Sequence, residues 1–248
     1  MAAHGVLSRA WEGAVTGLLD LAYPRACVGC GADPGPDCEH MCWDCRVGIA
    51  VLDGAMCECC GDPVDGVPGV TYRCSWCQAE TPSFVLARSA VRYRGPAKEA
   101  IHLMKYGAGL HVVGVWVPWL TACAATHYPD CRFDAVTFVP MSPRRERERS
   151  YNQARLLAAG LARATDLPLE PDALARVRDT GTQTKLTMKE RRENVRGAFG
   201  VARPERVRHR RFLLVDDVIT TGATVNACAE ALRDAGAASV HVVSVARG

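Results

Sequence analysis

The sequence predicts a parallel α/β domain preceded by a small cysteine-rich module, on three observations. From residue 83 onward, short apolar runs alternate with segments of helical periodicity, the pattern of a parallel sheet with crossover helices. Ten of the thirteen cysteines lie between Cys27 and Cys77, ahead of that pattern. The run Phe212 to Thr224, FLLVDDVITTGAT, joins four apolar residues, two adjacent carboxylates and a Thr/Gly turn, as a buried strand does where it meets a helix at a ligand site. With 248 residues and 48% hydrophobic content the chain can form a packed core. No apolar run approaches the ~20 residues of a membrane-spanning helix, so no membrane span is expected.

Residues 1–24 place Val6, Trp11, Val15, Leu18, Leu19 and Leu21 on one face of a short helix. The segment lacks a basic leader and is interrupted by Glu12 and Asp20, which makes it a poor secretory signal and points to a cytoplasmic protein. Without the basic face of an interfacial helix, it is expected to pack on the body of the protein.

Residues 25–82 contain four C-x2-C pairs, Cys27/Cys30, Cys42/Cys45, Cys57/Cys60 and Cys74/Cys77. A C-x2-C knuckle turns two sulfurs toward one ion, and two knuckles complete a four-cysteine zinc site. Gly31 and Gly61 directly follow Cys30 and Cys60, where the knuckle needs backbone freedom. Sequential pairing gives two zinc ribbons, one on Cys27, Cys30, Cys42 and Cys45 and one on Cys57, Cys60, Cys74 and Cys77; an interleaved pairing satisfies the same spacings. Cys38 and Cys59 are left over, as competitors for Cys42 and Cys60. The odd cysteine count and the poor secretory signal argue against a disulfide framework. A closed four-thiolate site leaves no position for water or substrate, so the two Zn2+ ions are expected to stabilise rather than to catalyse.

After Thr81-Pro82 the elements follow in order. Residues 85–93 alternate as a strand, Pro96 can open a helix that runs to Tyr106 and ends at Gly107, and an apolar segment covers Leu110 to Ala125. Phe133 to Met141 is a buried strand and Asn152 to Ala164 a helix with Leu156, Leu157, Ala158 and Leu161 inward. Phe212 to Asp217 is the next strand, Thr224 to Ala235 its helix, and Ser239 to Ala246 the last strand.

The chemistry concentrates at that penultimate strand. A helix start presents unpaired N–H groups, Gly lets the backbone close around an anion, and threonine hydroxyls add donors. Asp216 and Asp217 would repel a phosphate, so hydroxyl groups or a divalent cation beside the phosphate are their expected partners. A ribose 5-phosphate carrying a diphosphate on C1 meets both demands. The thirteen residues resemble the 5-phosphoribosyl 1-diphosphate (PRPP) motif of type I phosphoribosyltransferases. That resemblance implies that Asp216 and Asp217 are the catalytic pair, holding the ribose hydroxyls directly or through Mg2+, and that Thr220, Thr221, Gly222, Ala223 and Thr224 wrap the 5′-phosphate.

With the four knuckles, YRGPAKEAIHLMKYG (Tyr93 to Gly107), VPMSPRRERERSYNQ (Val139 to Gln153) and RDTGTQTKLTMKERRENVRGAF (Arg178 to Phe199), the chain resembles the ComF family from Cys27 to its end. These are double-zinc-ribbon, phosphoribosyltransferase-like proteins associated with competence and DNA uptake in bacteria. The resemblance implies a type I phosphoribosyltransferase-like domain over residues 83–248 with a variable hood at about 84–130, where nothing specifies a nucleobase. It places Arg144 and Arg145 at the diphosphate loop, the alternative being a solvated helix with internal ion pairs. Gln183, Lys185, Arg191 and Asn194 fall in a candidate mobile flap, and Lys105 is a candidate from the hood. Ser150-Tyr151 departs from the family's usual Gly-Phe.

The overall +3 hides a split: residues 1–82 hold four basic against eleven acidic side chains, a formal −7, so the remainder is +10. An acidic ribbon module cannot neutralise nucleic-acid phosphates by itself, and any attraction for single-stranded DNA must come from the basic C-terminal part, where Arg203 to Arg211 is the densest run. Two classes of function follow. One is transfer of phosphoribose from PRPP to an acceptor. The other is a non-catalytic protein, responsive to PRPP or nucleotide, that binds single-stranded DNA or docks on DNA-uptake machinery through its ribbons.

Overall fold

The computed structural model describes residues 25–64, 72–106, 111–178 and 188–248, so the helix expected over residues 1–24 lies outside the described residues. Strands are β1 (Leu86–Arg92), β2 (Ala135–Phe138), β3 (Ala175–Arg176), β4 (Phe199–Gly200), β5 (Arg211–Ile219) and β6 (Ser239–Arg247). Helices are α1 (Trp43–Val47), α2 (Ser75–Ala79), α3 (Gly95–Tyr106), α4 (Val112–His127), α5 (Pro143–Arg149), α6 (Gln153–Ala164), α7 (Met188–Val195) and α8 (Ala223–Asp234). β1, β6, β5 and β2 form, in that order, a parallel sheet, and β3 pairs antiparallel with β4. No helix among the described residues is long and apolar enough to cross a membrane.

The contiguous apolar runs of β5 and β6 reflect burial on both faces. Leu213, Val215, Val243 and Val245 enter one core with Trp116 and Leu120 of α4 and Leu157 and Leu161 of α6. Phe212, Leu214, Val240 and Val242 enter the other with Val225, Cys228 and Leu232 of α8. The segment read as a hood, residues 84–130, contributes an edge strand of this sheet and two helices, α3 and α4, with α4 lying against β1, β6 and α6.

Both sheet edges are covered. Leu52 N–H donates to Ala90 O (3.1 Å) and Arg92 N–H to Ala50 O (2.8 Å), so the ribbon module pairs antiparallel with β1. On the other edge Val136 N–H donates to Pro168 O and Glu170 N–H to Val136 O. Covered edges remove the unpaired backbone groups through which sheets associate.

A close contact between α4 and α6 sets a first prediction. A Cβ at Gly160 of α6 would lie 2.3 Å from Val117 Cγ2 of α4, and the β-branched valine has few rotamers by which to yield. Gly160→Ala gains helix propensity but overpacks the interface, so a net loss of about 1–2 kcal/mol is expected in urea denaturation.

Candidate functional site

Two four-cysteine clusters and one acidic pair stand out among the described residues. The Sγ atoms of Cys27, Cys30, Cys42 and Cys45 all lie within 4.8 Å of one another, as do those of Cys57, Cys60, Cys74 and Cys77. This is the sequential pairing; Cys38 and Cys59 belong to neither cluster. The Cys30–Cys42 and Cys60–Cys74 sulfur separations, 3.8 and 3.6 Å, match the edge of about 3.8 Å that four Zn–S bonds of tetrahedral geometry require. The centres are built alike: Cys42 N–H points at Cys27 Sγ and Cys74 N–H at Cys57 Sγ, and Cys42 and Cys74 are the N-caps of α1 and α2.

The thiols show what such a cluster requires. Burial tends to raise Cys27 and Cys57, but backbone N–H groups turned toward their sulfurs overcome it and bring them to about 6 and about 7. Burial pushes Cys60 up to about 12 even with the Arg247 guanidinium nearby, and it raises Cys45 and Cys77 as well. Four thiolates packed this closely repel one another unless a cation joins them, so both donor sets fit zinc. Arg247 is itself buried, with Nη2 3.8 Å from Cys60 Sγ and 2.9 Å from Asp62 Oδ1, an outer-shell cation against an anionic centre.

The two ribbons are not a detached domain. A Cβ at Gly61 would stand 2.6 Å from Ala87 O of β1, and Cys57, Cys60, Cys74 and Cys77 share a core with Leu214 and Val242 of the sheet.

The acidic pair lies within β5, which runs on to Ile219 rather than stopping at Asp217. Strand alternation sends the two carboxylates to opposite faces. Asp217 Oδ2 accepts from Lys105 Nζ at the end of α3 and from Gln153 Nε2 at the start of α6, both at 3.0 Å. Gln153 Oε1 in turn accepts from Arg149 Nη1 of α5 (3.3 Å), whose Nη2 donates to Tyr106 OH (3.1 Å). Burial alone would raise Asp217, but the Lys105 ammonium and the Gln153 amide hold it below the usual carboxylate range. Lys105 is raised, since the charge of Asp217 overcomes the cost of its burial. Asp216, partly buried beside α8, is pushed well above its ordinary value by burial and then by the charge on Asp217.

Five residues on, Gly222 caps α8 at φ 75°, a left-handed conformation that glycine adopts without strain. Gly222 and Ala223 are buried, Thr221 and Thr224 partly exposed and Thr220 exposed; Thr221 Oγ1 accepts from Ala223 N–H at 3.4 Å. Asp216, Asp217 and residues 220–224 thus share the C-terminal end of one strand and the start of the next helix.

The remaining candidates sit elsewhere. Arg144 and Arg145 lie on α5, none of whose side chains is buried, and Arg144 pairs with Glu148 at 3.8 Å. Gln183 and Lys185 lie outside the described residues, and Arg191 is known only by its place in α7. Asn194 contributes a backbone carbonyl to a clamp in which Arg178 Nη2 donates to Asn194 O and Arg196 O. Much of the basic run is internally neutralised: Arg206 and Arg210 each pair with Glu170 at 3.0 Å and Arg211 with Asp134 at 2.9 Å. Sequence reasoning did not assign Gln153 a role; its signal was its place in the Asn-Gln pair, where Asn152 caps α6 and Gln153 reaches Asp217.

Ser150, the position of the family's usual glycine, has φ 65°. A left-handed conformation strains a residue with a Cβ, so Ser150→Gly is expected to be neutral or to stabilise by about 1 kcal/mol, read as a higher urea midpoint.

Residues 152–248 match the phosphoribosyl transferase domain family and residues 18–79 the double zinc ribbon domain family. The chain is 30% identical over 216 residues to competence protein ComFC of Bacillus subtilis strain 168, covering 86% of this chain and 85% of that protein. It is 29% identical over 221 residues to the DNA utilization protein YhgH of Escherichia coli O157:H7, with 84% of this chain and 96% of the relative covered. To competence protein F of Haemophilus influenzae it is 41% identical over 115 residues, 46% of this chain and 50% of the relative.

Proposed function

Because the chain belongs to the ComF family of double-zinc-ribbon, phosphoribosyltransferase-like proteins, we propose that it binds PRPP at Asp216, Asp217 and residues 220–224 and transfers phosphoribose to an acceptor, releasing diphosphate, in a cell's handling of DNA. The observation that carries this reading is the adjacency of two carboxylates on β5 to a glycine-capped helix start, with one carboxylate already held ionised by Lys105 and Gln153. The N–H groups opening α8 suit a 5′-phosphate. Asp217 suits ribose hydroxyls as an acceptor. Asp216 resists ionising beside its neighbour and gains most from a cation or hydroxyl donor. Both carboxylates are hard oxygen donors of the type Mg2+ takes, and Mg2+ bound there with diphosphate would neutralise charge on the leaving group. In the transfer itself the C1–diphosphate bond breaks and a C1–acceptor bond forms, and the chain's own task is to orient the ribose and to shield C1.

The test is calorimetric titration of the zinc-loaded chain with PRPP and Mg2+, beside Asp217→Asn. Wild-type binding that weakens about a hundredfold or more in the variant is expected, since each lost hydrogen bond to a charged group is worth about 1.5–3 kcal/mol. Absence of wild-type binding would overturn the reading. Diphosphate release across an acceptor panel then decides for catalysis over mere sensing.

One observation favours a second reading, single-stranded DNA binding: α5 presents Arg144, Arg145 and Arg147 on a helix without buried side chains, in the basic part of the chain. A DNA affinity that falls steeply with added salt supports it, and a flat response counts against it.

A further inference from the structure

The second four-cysteine centre touches the loop read as the phosphate site, through one side chain. Trp76 lies between Cys74 and Cys77 on α2, five residues long and too short to hold its shape unaided. The indole is 8% exposed, with Nε1 donating to Glu80 Oε2 (3.3 Å) and Phe84 behind it at a ring separation of 6.2 Å. Its leading edge meets Gly222: the Cβ that glycine lacks would lie 3.1 Å from Trp76 Cζ3 and 3.3 Å from Cη2. Gly222 is the left-handed residue that turns the chain from β5 into α8.

We infer that Trp76 is a positioning residue for residues 220–224, and that through it the second metal centre sets the conformation of this loop. Two ligating cysteines bracket the tryptophan, so their metal fixes the direction in which the indole projects. The indole then walls one side of Gly222, and the φ of Gly222 aims the first N–H groups of α8. Two further bonds hold the same junction: Ser83 N–H, just past the ribbons, donates to Asn226 Oδ1 of α8 (2.7 Å), and Gly248 N–H to Ile219 O (2.9 Å), beside the Arg247 that approaches Cys60. A surface cleft lined by Trp76, Glu80, Ser83, Ala223 and Asn226 borders the contact, so removing the indole opens the loop to water instead of letting the core close over it. A structural zinc centre, closed to substrate, thereby acts on ligand binding. The ligand part of this inference rests on the PRPP reading; the coupling of centre to loop does not.

Two measurements on the zinc-loaded full chain test it, with Trp76→Ala and Trp76→Phe. Amide hydrogen exchange needs no ligand: residues 221–226 are expected to exchange faster in Trp76→Ala while β2 and β6 keep their protection, and Trp76→Phe to recover most of the difference. PRPP titration is expected to weaken about tenfold in Trp76→Ala, the equivalent of one hydrogen bond to a charged oxygen, with partial recovery in Trp76→Phe. Unchanged loop exchange and unchanged affinity in a variant that merely melts earlier would overturn the inference, leaving Trp76 as core filling. Faster loop exchange in a protein whose wild type binds no PRPP would sink the PRPP reading and leave the coupling standing. If Trp76→Ala does not fold, Trp76→Leu replaces it under the same expectations.

Discussion

Chelation of both metals is expected to lower the melting midpoint by about 10 °C or more, because structural zinc sites carry apparent binding free energies of about 10–16 kcal/mol and a domain of this size shifts about 2–4 °C per kcal/mol. The loss should not be confined to the ribbons. Cys57, Cys60, Cys74 and Cys77 are all buried in the core that also contains Leu214 and Val242, so opening that centre disturbs the sheet. The first centre is more peripheral, with Cys30 exposed and Cys42 partly so. Cys77→Ser is therefore expected to lower the midpoint more than Cys30→Ser, at equal loss of one zinc per chain. Melting curves with zinc quantified on the same samples check it; equal effects would show that the deeper burial of the second centre does not set its share of the stability.

The second large effect concerns the pair that Lys105 makes with Asp217, whose side chains are 18% and 7% exposed. Removing one member of a buried pair leaves the other uncompensated, at a cost of about 3–5 kcal/mol. Lys105→Met is expected to destabilise by about that much at pH 8 and by less at pH 5. In the wild type the folded pKa of Asp217 is lowered, so its contribution is present above the ordinary carboxylate value and is lost only as pH falls through the lowered one. Without Lys105, burial raises Asp217 instead; the stability it contributes is then present at low pH and lost as pH rises through the raised value. Urea midpoints at pH 8 and pH 5 distinguish this from simple loss of packing, which would give the same deficit at both. Lys105→Met/Asp217→Leu removes both charges and is expected to recover part of the stability while losing PRPP affinity.

Much of this fold was legible because its strands are buried on both faces: FLLV in β5 and VHVVSVA in β6 are apolar runs of the kind a covered parallel sheet uses. The knuckle spacing likewise named the eight clustered cysteines. Other elements resisted for physical reasons. α4 is apolar nearly all round and carries Pro118, so periodicity could not place it. The end of β5 was placed too early because its acidic residues look like a strand terminus, whereas Lys105 and Gln153 let Asp217 stay in the ladder. Contacts between distant segments were invisible: Gln153 and Asp217 are 64 residues apart, and nothing in CSWCQ announces Gly222 as the neighbour of its tryptophan.

The strand order has a consequence for how the chain is made. β1 takes its one partner within the sheet from β6, at the far end of the chain, so a nascent chain emerging N-terminus first must expose β1 until nearly every other element is out. The backbone bonds from residues 50–52 to the other side of β1 join neighbours in sequence and are expected to form early. With metal bound, the N-terminal module would then cover one edge of β1 before synthesis delivers the strand for its other edge.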